Sequence, residues 1–317
     1  MSALKIAIIV FVGGGIASVF FIVFFTAYQI FKNTLFRHPK KKRSRECADD
    51  ATPEQRQAFI LGSLWREEHL EAIEELRIEN DGLNLYGEYV DFGYDKCAVI
   101  MQGRTESLLY SYFYADTYAR GGYNILVMDT RAHGLSDGKY VTAGVKEHED
   151  LLLWIELIRS RHSVASFLVH GVCIGGAAAI YAYCAAKKSS MIEKIVTDGL
   201  YINYYEIFKQ HMIEFNKPVL FFVYLTFFYV RLLSGAGILK ETPDRRMGEI
   251  DIPILFLWSR QDKYCSEENC LKLFDACASE HKQMKFFPLG GHSYVKYFNT
   301  EEYNRTIEEF LAAHDGA

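Results

Sequence analysis

The 317-residue chain has no C-x-x-C pair, and its seven cysteines are an odd, scattered set: Cys47, Cys97, Cys173, Cys184, Cys265, Cys270 and Cys277. Cys265 and Cys270 stand in C-x4-C spacing with no second ligand pair, so neither a disulfide framework nor a zinc site is expected. Scattered free thiols fit a reducing compartment. The body lacks a basic stripe interleaved with aromatics, and net charge is −5. Nucleic acid is therefore not an expected partner. There is no phosphate loop, no dinucleotide fingerprint and no internal repeat, and no cofactor or metal is expected. Half the residues are hydrophobic and 24% are charged, enough apolar material for one large domain plus an appendage.

Charge is also missing from Ile6 to Phe31, a run of 26 residues reading "IAIIVFVGGGIASVFFIVFFTAYQIF". About 20 apolar residues span a bilayer as a helix. A signal peptide would have a shorter apolar region ending at a small-residue cleavage site, whereas this run ends in Tyr28, Ile30 and Phe31. Residues 1–31 are read as a transmembrane anchor, in which Gly13, Gly14 and Gly15 serve helix packing. Seven cations follow with no acid: Lys32, Arg37, Lys40, Lys41, Lys42, Arg43 and Arg45. The positive-inside rule then places the body in the cytoplasm, as a single-pass protein. The same run offers charge to anionic headgroups. Residues 32–72 are read as this basic linker plus a surface helix, and 73–317 as the main domain.

In that domain short apolar strands alternate with helical periodicity. Strands are predicted on both sides of Asp81-Gly82 as a hairpin, and at 96–103, 123–130, the run into residue 171, 192–199, 252–259 and "MKFFPL". Helices are predicted at 107–119, 143–160, 174–187, 266–277 and 301–313. Such alternation implies an α/β fold, a mostly parallel sheet with helices on both faces and an antiparallel edge at the hairpin. Residues 200–250 are too long for a plain crossover and are read as a helical cap. Within it "PVLFFVYLTFFYV" (218–230) is short for a membrane span. A cap resting on the bilayer and admitting an apolar substrate would reconcile the two readings.

Chemistry concentrates at "HGVCIGGAAAI" (170–180). Gly171-Val172-Cys173-Ile174-Gly175 has the G-x-S-x-G pattern with cysteine for serine, between a predicted strand and a predicted helix. Gly171, Gly175, Gly176, Ala177 and Ala178 are small enough for strand and helix to approach. The helix N-terminus would stabilise a thiolate or an oxyanion at residue 173. Asp262 follows the strand at 252–259, and His292 lies in the glycine-hinged loop "FFPLGGHSYV" after the last strand. Nucleophile, acid and base thus occur in chain order, each after a strand. Asp198 is an alternative acid after strand 192–199. His170, Cys97 and Cys184 are read as core residues, and Ser293 as a loop hydroxyl.

Residues 75–314 resemble an α/β-hydrolase, in the membrane-anchored serine-aminopeptidase or lipase-like branch. "MDTRAHGLSDG" (128–138) is similar to the D-x-R-G-H-G-x-S turn of that superfamily, with Ala132 in place of a glycine. Asp129, Arg131 and His133 are read as structural turn residues. The resemblance implies an oxyanion turn at Gln102-Gly103-Arg104, with the backbone N–H groups of Arg104 and Ile174 as donors; the Arg104 side chain is expected in a surface ion pair. It implies a Cys173–His292–Asp262 triad forming an acyl-cysteine intermediate on an ester, thioester or related acyl substrate, small molecule or lipid, by hydrolysis or acyl transfer. Dienelactone hydrolases place cysteine at this position. Three alternatives stay open: an active cysteine enzyme, a catalytically silent hydrolase-fold protein binding a lipid or partner through its cap, and a serine replaced by design. The sequence leaves the oligomeric state open.

Overall fold

The computed structural model describes residues 3–37, 45–48, 51–186, 191–214 and 216–314. Lys40, Lys41, Lys42 and Arg43 of the basic run lie outside the described residues. The eight strands are β1 (Ile73–Asn80), β2 (Leu83–Val90), β3 (Lys96–Met101), β4 (Asn124–Met128), β5 (Ser166–Val172), β6 (Ile192–Asp198), β7 (Ile254–Ser259) and β8 (Lys282–Phe287). They form one sheet in the order β1-β2-β4-β3-β5-β6-β7-β8. β1, β2 and β4 pair antiparallel, and every pairing from β4 through β8 is parallel. The central strands read as unbroken apolar runs because helices cover both faces. β7, "ILFLWS", is buried at all six positions. The hairpin turn uses positive φ at Asp81 (52°) and Gly82 (72°), as a two-residue connection matching strand twist requires.

Parallel order sends the carboxyl ends of β3, β5, β6, β7 and β8 to one edge of the sheet, where ligands of open α/β folds bind. Helix Ile174–Ala186 leaves β5 at that edge, helix Glu267–Ala276 follows β7, and helix Thr300–His314 closes the chain. Between β6 and β7 stand helices Tyr204–Glu214 and Leu220–Ser234, then a short helix Pro243–Arg246 and a 3₁₀ turn Met247–Glu249. This insertion occupies the stretch read above as a cap.

The expected helix at 107–119 is broken. It runs as Leu108–Ser111, a 3₁₀ turn Tyr112–Tyr114, and Ala115–Arg120. Three consecutive buried aromatics explain the break. The Tyr112 hydroxyl donates to Glu88 at 2.7 Å, whereas that of Tyr114 donates to the Ser293 carbonyl at 3.4 Å. A regular α-helix gives adjacent residues different faces, so a tighter turn redistributes them.

The N-terminal helix runs Ala3–Thr34, three residues beyond the expected anchor boundary, and its segment Phe11–Thr34 is long and apolar enough to cross a membrane. Its far portion is exposed, while Ala27, Ile30, Phe31 and Leu35 are buried in the domain. Arg37 donates through both guanidinium ends to the Gly134 and Ser136 carbonyls. Arg45 bonds Asp129 at 2.8 Å and Glu88 at 3.4 Å. Two cations of the basic run are therefore built into the body. Glu88 also takes two bonds from Arg66 of helix Pro53–Glu68. Burial opposes its charge, but Arg66, Tyr112 and Arg45 hold its carboxyl below the usual range. The surface helix is capped by Thr52 with a reciprocal Gln55 bond, the two-donor arrangement of a capping box.

Candidate active site

Cys173 lies between β5 and helix Ile174–Ala186, with φ +51° and 5% exposure. A left-handed conformation costs a non-glycine residue roughly 1–2 kcal/mol, and such strain persists only where its surroundings enforce it. Here the Cys173 N–H donates to the Asp198 carbonyl at 2.9 Å, while its own carbonyl accepts from Ala177. A Cβ on Gly171 would lie 2.3 Å from the Gly175 carbonyl carbon, and one on Gly175 would lie 2.6 Å from the Met101 oxygen. Both glycines are thus required by close approach. Gly175→Ala is expected to push the elbow off β3 and cost about 2 kcal/mol of stability, read as a lowered thermal midpoint of the full chain. An unchanged midpoint would refute the close approach.

His292 Nδ1 and Asp262 Oδ2 are 2.8 Å apart. The second Asp262 oxygen accepts the N–H groups of Tyr264 (2.7 Å) and Cys265 (3.0 Å). Burial would raise the Asp262 pKa, but His292 and these donors hold it below the usual carboxylate range. For His292, burial opposes the charge, yet the neighbouring Asp262 carboxylate outweighs it, raising its pKa well above the ordinary value. His292 Nε2 is buried and has no hydrogen-bond partner among the described residues. Asp262 and His292 thus meet, with Nδ1 committed to the acid and Nε2 left over.

The alternative acid sits elsewhere. Asp198 is fully buried and accepts the Tyr303 hydroxyl at 2.9 Å. It supports the elbow through its main chain, and Asp262 takes the histidine. His170 is packed between Tyr118 (2.9 Å) and Tyr303 (3.3 Å). Burial lowers its pKa to about 3, so it stays neutral.

On the other side of the elbow, the Gly103 N–H donates to Glu106 at 3.0 Å, and Glu106 accepts the Tyr294 hydroxyl at 3.1 Å. The Arg104 carbonyl meets His133 Nε2 at 2.9 Å. Its side chain, expected at the surface, donates to the Thr34 carbonyl at 3.2 Å and so caps the N-terminal helix. Ile174 opens its helix, so its N–H belongs to the first turn, where donors lack intrahelical acceptors. In the "DTRAHG" turn, Arg131 forks onto Asp150 at 2.6 and 2.8 Å. The Asp129 carboxylate accepts the N–H groups of Leu108 and Leu135. Ala132 has φ +65° where the resembled turn has glycine. Ala132→Gly is expected to raise stability by up to about 1 kcal/mol, left-handed strain being partly offset by unfolded-chain entropy. A lower thermal midpoint would oppose that.

The sequence reading missed Cys265. Its sulfur lies 3.7 Å from His292 Nδ1 and 3.5 Å from the Gly199 carbonyl. Burial pushes its thiol up to about 12, so it stays protonated at neutral pH. Asp262, Cys265 and His292 present ligand atoms within 4.8 Å of one another. A soft metal there would compete with the acid for Nδ1. The signal was Cys265's position three residues after the acid. Lys296 was also missed. It is buried and donates to the Phe113 carbonyl at 2.7 Å, with burial lowering its pKa to about 7.

No family model matches the chain. It is similar to YqkD, an uncharacterized protein of Bacillus subtilis (strain 168), at 25% identity over 215 residues, 67% of this chain and 70% of that one. It is also similar to YNL320W, an uncharacterized membrane protein of Saccharomyces cerevisiae, at 23% identity over 176 residues, 56% of this chain and 57% of that one. Among solved structures, the Pyrococcus furiosus esterase Pf2001 superposes with TM-score 0.67 at 22% identity, covering 78% of this chain and 93% of its own. An α/β-hydrolase fold protein of Chitinophaga pinensis gives 0.56 at 17% identity, covering 75% and 97%. Est816, described as an N-acyl homoserine lactone degrading enzyme, gives 0.55 at 14%, covering 74% and 100%. With the strand order, the elbow and the residues following β5, β7 and β8, these likenesses establish that the chain has the α/β-hydrolase fold.

Proposed function

We propose that this chain is a membrane-anchored acyl hydrolase with Cys173 as nucleophile, His292 as base and Asp262 as the group that orients the base. The observation that carries the reading is His292 Nε2, a buried nitrogen with no hydrogen-bond partner among the described residues, on a ring whose other nitrogen is held by a buried carboxylate. The His292 ring would lie 3.1 Å from a Cβ on Gly199, and the preceding Asp198 carbonyl accepts the Cys173 N–H, which supports their adjacency. His292 Nε2 takes the thiol proton, and the sulfur attacks an acyl carbon. The oxyanion is received by the N–H groups of Arg104 and Ile174, at the end of β3 and the start of the elbow helix. As the tetrahedral species collapses, imidazolium returns its proton to the leaving alcohol or thiol, and a thioester remains on Cys173. Water deprotonated by His292 then releases the acid and regenerates the thiol.

A thiolate favours esters, lactones and thioesters with good leaving groups over amides, which fits the activities by which the esterase and the lactone-degrading enzyme of the same fold are described. The N-terminal helix supports a single-pass membrane location, and the charge excess after it supports a cytoplasmic body. Because residues 27–37 are built into the domain, the test uses the full chain in detergent. With p-nitrophenyl acetate, intact mass is expected to show a transient acetyl adduct on the parent and none on Cys173→Ala. No adduct, with Cys173 alkylating no faster than the other six thiols, would sink the enzyme reading and favour a silent protein that binds through its cap.

A further inference from the structure

We propose that the outward face of cap helix Leu220–Ser234 is seated in the bilayer beside the N-terminal helix, so that the site takes acyl esters or thioesters resident in that leaflet. This rests on the membrane-anchored reading above. The two helices are in direct contact. The Tyr229 ring lies 5.5 Å from Tyr28 and 6.2 Å from Phe31, and its hydroxyl donates to the Phe24 carbonyl at 3.1 Å. Phe24 precedes Lys32, the next charged residue, by eight positions, roughly 12 Å of helical rise. Tyr229 is thus tied to the anchor at a depth where the anchor itself carries no charge.

Beside that contact the cap helix presents an apolar stripe at i, i+4, i+8. Tyr224, Phe228 and Leu232 are 52%, 50% and 64% exposed. Its opposite face is buried, with Phe227 against Tyr204 and Phe208 of helix Tyr204–Glu214. Arg231 turns its guanidinium back onto the Gly235 carbonyl at the C-terminal end, as a snorkelling side chain does. That end and the anchor's end share a cleft of about 720 Å³ whose charged lining, Arg37, Arg131, Lys139 and Lys146 with Asp81 and Asp137, carries a cationic excess. A charged rim of cationic excess at one end and an exposed apolar stripe running away from it match the headgroup-to-acyl gradient of a leaflet. Helix Tyr204–Glu214 continues the path to the site, because its Glu214 accepts the Tyr264 hydroxyl and the Tyr264 ring lies 5.4 Å from His292. The occupant of the stripe is therefore lipid, continuous with the lipid around the anchor.

The test places the full chain in phosphatidylcholine vesicles with brominated acyl chains, which quench tryptophan by contact. Phe228→Trp adds a reporter to the stripe, and Phe21→Trp adds one to the exposed anchor. The native Trp65, Trp154 and Trp258 are buried. Both added emissions are expected to be quenched. Quenching of Phe21→Trp without Phe228→Trp overturns the proposal while leaving the anchor intact. Quenching of neither overturns the anchor reading and the proposal together. For delivery, Phe228→Glu is expected to lower the ratio of turnover on a vesicle-resident palmitoyl ester to that on soluble p-nitrophenyl acetate by about tenfold or more, since a carboxylate resists the acyl region. An unchanged ratio overturns delivery from the leaflet. Absence of turnover on either ester in the parent overturns the hydrolase reading and the substrate assignment, and the quenching still decides the lipid contact.

Discussion

Replacing Asp262 by asparagine is expected to slow acylation of Cys173 about 10²–10⁴-fold, as much as replacing His292 by alanine. The size follows from how the carboxylate is held. Two backbone N–H groups, from Tyr264 and Cys265, point at one Asp262 oxygen. In the asparagine variant that position must remain an oxygen, because an NH₂ there would face two donors. The amide nitrogen then faces His292 Nδ1 and donates to it. The imidazole is driven to carry its proton on Nε2, the nitrogen that the proposed mechanism needs free to accept the thiol proton. Asp262→Ala leaves the tautomer free and is expected to be no slower than Asp262→Asn. Pre-steady-state release of p-nitrophenol from the full chain measures both. An asparagine variant acylating at the parental rate would remove His292 from the role of base.

What the sequence disclosed depended on whether the information was local. The buried strands were legible as uninterrupted branched runs bounded by turn residues. β8 slipped by two positions from the expected "MKFFPL" because Pro288 has no N–H to offer a ladder. The elbow was legible because its requirement for small residues is written in consecutive positions. Asp262 and His292 were legible from chain order, and their joining at 2.8 Å is what the fold adds. Long-range pairing was not legible. Arg37 and Arg45 read as members of a charge run, yet they bond the 129–136 turn and Glu88. A cation in a linker carries no local mark of the carboxylate it will meet. The Tyr112–Tyr114 break was hidden for the same reason, since the partners pulling those rings apart are Glu88 and Ser293, 24 and 179 residues away. Helix Leu220–Ser234 was visible as an apolar run, but its contact with the N-terminal helix joins Tyr229 to Phe24 across 205 residues.

Asp198→Asn is expected to stabilise the folded chain by several kcal/mol at pH 8 and by little at pH 4. Asp198 is fully buried at the end of β6 with one oxygen on Tyr303. Its other oxygen has no partner among the described residues. Burial pushes its pKa up to about 7, against the lowering effect of the Tyr303 hydroxyl. An unfolded aspartate titrates near about 3.9. Between those values the folded state holds a proton that the unfolded state has released, so stability declines as pH rises from about 4 to about 7. A displacement of about three units at 1.36 kcal/mol each makes the full decline about 4 kcal/mol. Asparagine keeps an oxygen for Tyr303 and never ionises, so the decline due to this residue disappears. Its unpaired amide matches the unpaired hydroxyl of the protonated acid, which is why the two proteins converge at low pH. Other titrating groups, Lys296 among them, are common to both and drop out of the difference. Thermal midpoints of parent and variant in detergent, taken from pH 4 to pH 8, would show curves that meet at the acid end and separate above neutrality. Parallel curves would mean that Asp198 is ionised in the folded protein throughout. The carboxylate charge behind the elbow would then be permanent over that range.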